Sequence, residues 1–474
     1  MHHPNQEDRC ELAPGQLRIA LLGYRSHPAV GGQGIYISQL ANALAALGHS
    51  VWVFSGPPYP MGLEAKVHFV EVPSLDLYAS KNAFTALRLQ HLTSWTDLRE
   101  WLSMQSGGFG EPLSFSLRVA KLLSSARFAD AFDIVHDNQC LGNGLAKLVA
   151  FYRRRKINTK VTATIHHPIH RDRTYDVASQ KSTLLKLLKK RWYHFIVMQE
   201  RVYPTLDQII TVSDSSKRDI LTCFGEHPKE IEVVPCGVDT RIFFPSDACS
   251  TKPSAKTIQL ICVSSSDLAL KGLRYLISAL AKLEKQSPGR YRLQLIGRLD
   301  PSGVCYQLAK ESDILHLIDS SENLHAEDVA KAFRAADIAV VPSLYEGFGL
   351  PALEAMACGV PLITTDGGAL PEVAGNAAIV VNSGSAQRLA CAIDELSHDV
   401  KRQESLREKG LARVSEHYTW RAVSEKFVKV LTGHEADQGA ISPRRSELDE
   451  NNSQTLNEAA PKPDDVDSCL VKAS

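Results

Sequence analysis

Residues 342–359, PSLYEGFGLPALEAMACG, set two glutamates, Glu346 and Glu354, around a glycine-containing turn that leads into a helix. Gly347 and Gly349, flanking Phe348 and followed by Leu350, permit backbone angles that a β-carbon would forbid, so the chain can approach a ligand and aim N–H groups at it. Pro351 suits a first helical turn, because its fixed φ fits and its missing N–H has no intrahelical partner there. Leu353, Met356, Ala357 and Val360 recur at helical spacing, which buries one face and points the helix N-terminus out of a sheet. Such an end attracts phosphate. Glu354, near the helix start, is spaced to accept hydrogen bonds from two adjacent ribose hydroxyls, while Glu346 lies where a transferred group would sit. The loop reads as a site for a nucleotide sugar.

Alternating strands and helices extend from this loop in both directions. Before it, TIQLICVSS, GLRYLISALAKL, YRLQLIGR, DILHLIDS, AEDVAKAFRAA and DIAVVPS read as strand, helix, strand, short strand, helix and strand. In the first half, LRIALLGY (17–24) suits a buried parallel strand, and a glycine-rich turn containing Gly31, Gly32 and Gly34 follows. Ile37, Leu40, Ala41, Leu44 and Leu47 then mark a helical face that Gly48 ends, and SVWVFSG forms the next strand. DIVHDN (133–138), VTATIHH (161–167) and QIITVSD (208–214) each end in polar residues, where a parallel sheet presents its ligand edge. The class is α/β, with two Rossmann-like parallel-sheet domains facing a cleft. NAD binding is disfavoured: the glycines run GGQG and not G-x-G-x-x-G, and the second strand ends in Ser55-Gly56 with no acidic residue for a ribose.

Composition sets outer bounds. A chain of 474 residues exceeds one ordinary core. Its 53 basic and 53 acidic side chains cancel, so charge gives no reason to invoke nucleic acid. The ten cysteines contain no C-x-x-C pair and no metal spacing, which points to a reducing cytosol. The first sixteen residues lack the apolar core of a signal peptide, and no later run matches the roughly 18 apolar residues of a spanning helix, so a soluble or peripheral cytoplasmic protein is expected.

The 342–359 segment resembles the E-x7-E signature of the GT-B glycosyltransferases of family 4, also called group 1. The likeness continues through PLITTDGGALPEVAG (361–375), and PKEIEVVPCGVDTRIFFP (228–245) is similar to the family's passage out of the first domain, with Cys236 where asparagine is common. The resemblance covers about residues 17–432. It implies a disordered N-terminus over 1–16, an acceptor-side domain over 17–245, a linker over 246–257 and a nucleotide-sugar domain over 258–415. A closing helix over 416–433 then crosses back to the first domain, and the polar tail 434–474 is expected to be disordered. The implied activity is retaining, metal-independent hexosyl transfer from a UDP-, GDP- or ADP-linked sugar to a glycan or lipid-linked acceptor. Cell-surface polysaccharide or glycolipid synthesis is the implied setting, with no cofactor beyond the donor. A front-face substitution, in which the leaving diphosphate helps to deprotonate the acceptor, is the implied mechanism. The sole Asp-x-Asp, Asp465 to Asp467, falls in the tail.

By the same resemblance, Lys271 in SSSDLALKGL is directed at the donor diphosphate and Gly31 and Gly32 face the cleft. His166 of the T-I-H run stands near the transferred sugar, with His167 as second choice. Arg171 and Arg173 face acceptor, phosphate or solvent. Many members carry Gly-Arg shortly before the lysine, whereas this chain has Ser264, Ser265 and Ser266, so either Arg298 compensates or the diphosphate is held differently. That departure keeps open a non-catalytic sugar-nucleotide-binding subunit, and a GT-B nucleotide-sugar 2-epimerase is a further alternative. Residues 181–204, KSTLLKLLKKRWYHFIVMQERVYP, combine lysines and leucines as a helix resting on an anionic membrane would, or as a solvated helix packed on its own domain.

Overall fold

The computed structural model describes residues 15–28, 32–77, 94–180, 182–246, 257–264 and 269–433. The expectations for residues 1–14, Gly31, most of the linker, Ser265, Ser266 and the tail fall outside these residues. Among them, thirteen strands form two wholly parallel sheets. The first comprises β1 (Arg18–Gly23), β2 (Ser50–Ser55), β3 (His68–Glu71), β4 (Ile134–Asn138), β5 (Lys160–Ile165), β6 (Gln208–Thr211) and β7 (Glu232–Val233), in the order β3-β2-β1-β4-β5-β6-β7. The second comprises β8 (Ile258–Val263), β9 (Tyr291–Ile296), β10 (Ile318–Ser321), β11 (Ile338–Val341), β12 (Leu362–Thr365) and β13 (Ala378–Val381), in the order β10-β9-β8-β11-β12-β13. Parallel strands covered on both faces need unbroken apolar runs, which Ile19–Leu22 and Ile338–Val341 supply, all of them buried. Chain order reverses between β1 and β4 and between β8 and β11, and such switch points open the crevice in which doubly wound sheets bind ligands.

One buried cluster runs through both halves, from Ile37, Leu40 and Leu44 to Leu353 and Met356, and includes Val423 and Phe427 of the helix Trp420–Thr432. That last helix returns to the first half. Phe427 sets its ring edge-on to His136 at 4.8 Å, and Lys160 donates to the Leu431 carbonyl at 2.7 Å. Gly237 lies under Trp420, whose indole a β-carbon would meet at 2.6 Å, so the passage leaving β7 and the returning helix share one seam.

Three local expectations change. Gly32 and Gly34 lie inside the helix Gly32–Ala46 and not in a turn before it. A β-carbon on Gly34 would overlap the His27 carbonyl, so this glycine serves close packing of helix on loop. Val360 is buried yet lies past the helix Leu350–Ala357, which Cys358 caps, and DILHLIDS divides into the 3-10 turn Leu315–Leu317 and β10.

Candidate active site

At the β8/β11 switch point the two loops are forced together. Gly272 has φ +66°, and a β-carbon there would overlap the Pro342 carbonyl oxygen, so the 3-10 turn Ala269–Lys271 lies against the loop after β11. Lys271 Nζ therefore reaches Glu346 Oε1 at 2.8 Å, and Ser343 Oγ donates to the same oxygen at 2.8 Å. The lysine side chain stays 27% exposed and the glutamate 11%, which leaves the ammonium partly exposed with hydrogens to spare.

Gly349 caps the helix Leu350–Ala357 at φ +103°, a conformation that favours glycine. Gly347 has no such angle. Its role is close approach: a β-carbon would stand 3.1 Å from the His166 carbonyl oxygen and 3.2 Å from His167 Cβ. What it approaches is the first half of the protein, and of the two glycines only Gly349 uses the unusual backbone angle expected of both. Phe348 is buried edge-on to Tyr418 at 6.0 Å, and Leu350 Cδ1 lies 3.4 Å from where a β-carbon on Gly32 would project. Those two side chains pack, leaving their backbone for any ligand.

Glu354 is half-buried and makes no side-chain hydrogen bond among the described residues. Burial alone pushes its carboxyl up to about 7. A shielded carboxyl without a donor is a destabilising arrangement that hydroxyl donors would relieve.

In the first half, His166 follows β5. Asn138 Nδ2 donates to the Gln33 carbonyl at 3.1 Å, which turns Asn138 Oδ1 toward His166 Nε2 at 2.8 Å. An amide oxygen only accepts, so Nε2 carries the proton and Nδ1 keeps a lone pair. Burial, aided by the charge of His167, pushes the imidazole down to about 3, and the ring meets Tyr36 edge-on at 4.7 Å. His166 is a neutral acceptor. Gln139, held at φ +57°, fixes the backbone on either side of it by accepting from the His166 N–H at 2.8 Å and donating to the His167 carbonyl at 2.7 Å.

Hydrogen bonds join the halves around this point. Ser213 and Ser216 hydroxyls donate to the Gly347 carbonyl at 2.7 and 3.0 Å. Tyr345 Oη donates to Asp219 at 2.5 Å, and Asp219 also pairs with Arg171, whose guanidinium lies 4.6 Å from the Tyr345 ring centroid. Glu372 accepts from the Asp214 N–H at 2.9 Å, at the start of the helix Asp214–Phe224, where a carboxylate complements the helix dipole.

Known proteins share this plan. The Glycosyltransferase Family 4 profile matches residues 30–242 and the Glycosyl transferases group 1 profile matches residues 250–413. A relative from Mycolicibacterium hassiacum, MMP alpha-(1->4)-mannosyltransferase, is 40% identical over 87% of this chain and 97% of its own. The chain belongs to the family 4 glycosyltransferases of GT-B fold. Among solved structures, sucrose-phosphate synthase from Thermosynechococcus elongatus is 22% identical, covers 88% of this chain and 99% of its own, and superposes with a TM-score of 0.63. Anabaena HepE in complex with UDP and glucose covers 88% and 100%, at 14% identity and a TM-score of 0.60.

Within this glycosyltransferase, Lys271 meets Glu346, and Gly347 meets His166. Arg298 joins neither group: it follows β9, is 66% exposed and faces Asp300 at 3.6 Å. Of the three serines, Ser264 is buried with its backbone tied to β9, the Ser264 N–H donating to the Ile296 carbonyl at 2.9 Å. Sequence reasoning missed Asn138, Gln139, Tyr345, Asp219 and Glu372. For Asn138 and Gln139 a signal existed, since DNQ closes a strand at the ligand edge. For the Tyr345–Asp219–Arg171 group none did, because its members are brought together only by the pairing of the halves.

Proposed function

We propose that this glycosyltransferase moves a hexosyl group, mannose being the first candidate, from a nucleoside-diphosphate sugar to a hydroxyl of a glycan acceptor with retention of anomeric configuration and without a required metal ion. The observation that carries the donor assignment is Glu354, a half-buried carboxyl with no side-chain hydrogen-bond donor among the described residues, near the N-terminus of a helix. Two ribose hydroxyls would supply the missing hydrogen bonds, and the helix N-terminus the phosphate contact. The 40% identical relative, whose name specifies mannosyl transfer, supports the choice of sugar.

Lys271 would neutralise charge growing on the leaving diphosphate, while Glu346, through the oxygen turned away from Lys271, receives a donor-sugar hydroxyl. His166 Nδ1, being neutral, accepts from another sugar hydroxyl and does not serve as the acid. The bond from C1 to the phosphate oxygen breaks, the acceptor oxygen bonds to C1 on the same face, and the acceptor proton passes to the departing phosphate. Incubation with UDP-, GDP- and ADP-linked mannose and glucose, with and without oligomannoside acceptors, tests this. Acceptor-dependent donor consumption giving an α-linked product from an α-linked donor is expected. A β-linked product defeats the retaining mechanism, and consumption without acceptor favours epimerase chemistry.

A further inference from the structure

The helix Thr183–Trp192 is amphipathic, yet none of its residues is buried. Leu184, Leu185, Leu187 and Leu188 are 46–66% exposed on one side, and Lys186 and Lys190 lie on the other. The helix is nevertheless held firmly. Ser182 caps it, accepting from the Leu185 N–H at 3.1 Å, Lys189 pairs with Asp176 at 3.0 Å, and Trp192 stacks on Phe109 at 5.2 Å. Its far end adjoins the helix Trp95–Gln105, since Arg191 donates to Ser106 Oγ at 2.8 Å and Leu102 is also 49% exposed. An apolar surface rimmed by cations thus spans both helices.

Beside it opens a cavity of about 420 Å³ with Arg99, Arg191, Arg201 and His194 in its wall and no Asp or Glu among the described residues that line it. Two carboxylates next to lining residues in the chain are already engaged, Glu100 with Arg118 and Glu111 with Arg25. Over the whole chain the charges cancel, whereas residues 181–204 hold six Lys and Arg against one Glu. A second copy brought to this face would present the same cations, so charge disfavours self-association and favours an anionic partner.

We propose that this face docks on an anionic phospholipid surface, with the leucines entering the acyl boundary and the arginine-lined cavity receiving a headgroup phosphate. The proposal is independent of the donor chemistry, because none of these side chains belongs to the Lys271, Glu346, Glu354 or His166 groups. The test is co-sedimentation of the full chain with vesicles of phosphatidylcholine alone and of phosphatidylcholine mixed with phosphatidylglycerol, at low and at physiological salt. Binding is expected only to the mixed vesicles and weakens with salt. Lys186→Gln with Lys190→Gln lowers partitioning roughly thirty-fold, at about fivefold per lysine. Leu184→Ser with Leu188→Ser abolishes binding at either salt, and Arg99→Gln with Arg201→Gln narrows the preference for anionic over neutral vesicles. All three variants keep the parent melting temperature, since they alter exposed side chains. Absence of binding, equal binding to neutral vesicles, or a leucine variant that binds like the parent overturns the proposal. So does a dimer in sedimentation equilibrium that the leucine variant dissociates.

Discussion

Replacing Glu354 by glutamine should stabilise the free enzyme while removing its response to nucleotide. Burial lifts this carboxyl from its ordinary 4.5 to about 7. Well below pH 4.5 the group is protonated in both folded and unfolded chains and contributes nothing. As pH rises from 4.5 to 7 the unfolded chain loses the proton first, so the folded state loses stability, and above 7 the loss is constant. At about 1.4 kcal/mol per pH unit between the two values, discounted for the solvent that still reaches a half-buried side chain, the loss is roughly 1–3 kcal/mol. Glu354→Gln avoids it. Melting curves of parent and variant should therefore converge as pH falls below 4.5 and separate by a few degrees at pH 8, with the variant the more stable. Nucleotide at a hundred times its dissociation constant should add roughly 2.7 kcal/mol to the parent and much less to the variant, which keeps a neutral acceptor where two hydroxyls would meet a carboxylate. Because those hydroxyls favour the ionised form, binding near pH 7 should also release protons, measurable by calorimetry in buffers of different ionisation enthalpy. A variant that melts below the parent at pH 8, or that keeps the full nucleotide response, would refute this account of the site.

Lys271→Ala should lower kcat by roughly 10²–10³, the usual loss for a charge stabilising a leaving group. Substrate KM should move little, and an unchanged kcat would remove Lys271 from the chemistry. His136 and His166 are both held down to about 3 by burial, so as pH falls below their ordinary 6.5 the unfolded chain takes up protons first and stability drops from there toward pH 3. His136→Gln should flatten that acid limb by about 2 kcal/mol at pH 5, read by denaturant unfolding, and an unchanged limb would contradict neutral burial. Turnover should persist after exhaustive dialysis against chelator, and its complete, metal-restorable loss would require a cation in the mechanism.

Much of the frame is legible because its signals are local. Ile19–Leu22 and Ile338–Val341 are apolar runs short enough to be strands, and Leu276, Leu280 and Leu283 repeat at helical spacing in Leu273–Gln286. The edge strand His68–Glu71 is mostly exposed and carries no such pattern, and two-residue Glu232–Val233 is too short to show one. Glycines mislead for a physical reason: the same residue serves a left-handed turn at Gly349, close packing within a helix at Gly34 and contact between halves at Gly347, and composition cannot separate these uses. Likewise Lys271 and Glu346 are separately visible in the sequence, but their ion pair depends on β8 lying next to β11, a matter of topology.

The site's geometry is shared between the two sheets. Lys271, Glu346 and Glu354 are fixed by the second, while His166 is oriented by Asn138 and Gln139 of the first. The apolar cluster that runs through both halves relates them, and hydrogen bonds add to it: two serine hydroxyls on the Gly347 carbonyl and Tyr345 on Asp219 at the loop after β11, and Glu372, after β12, on the N-terminus of Asp214–Phe224. Each of these is worth on the order of 1 kcal/mol net, far less than the cores that hold either half together. Glu346 immediately precedes Gly347, so a displacement of this loop from Ser213 and Ser216 also displaces Glu346. A change at Ser213, Ser216 or Asp219 is thus expected to shift Glu346 relative to His166 without altering either residue.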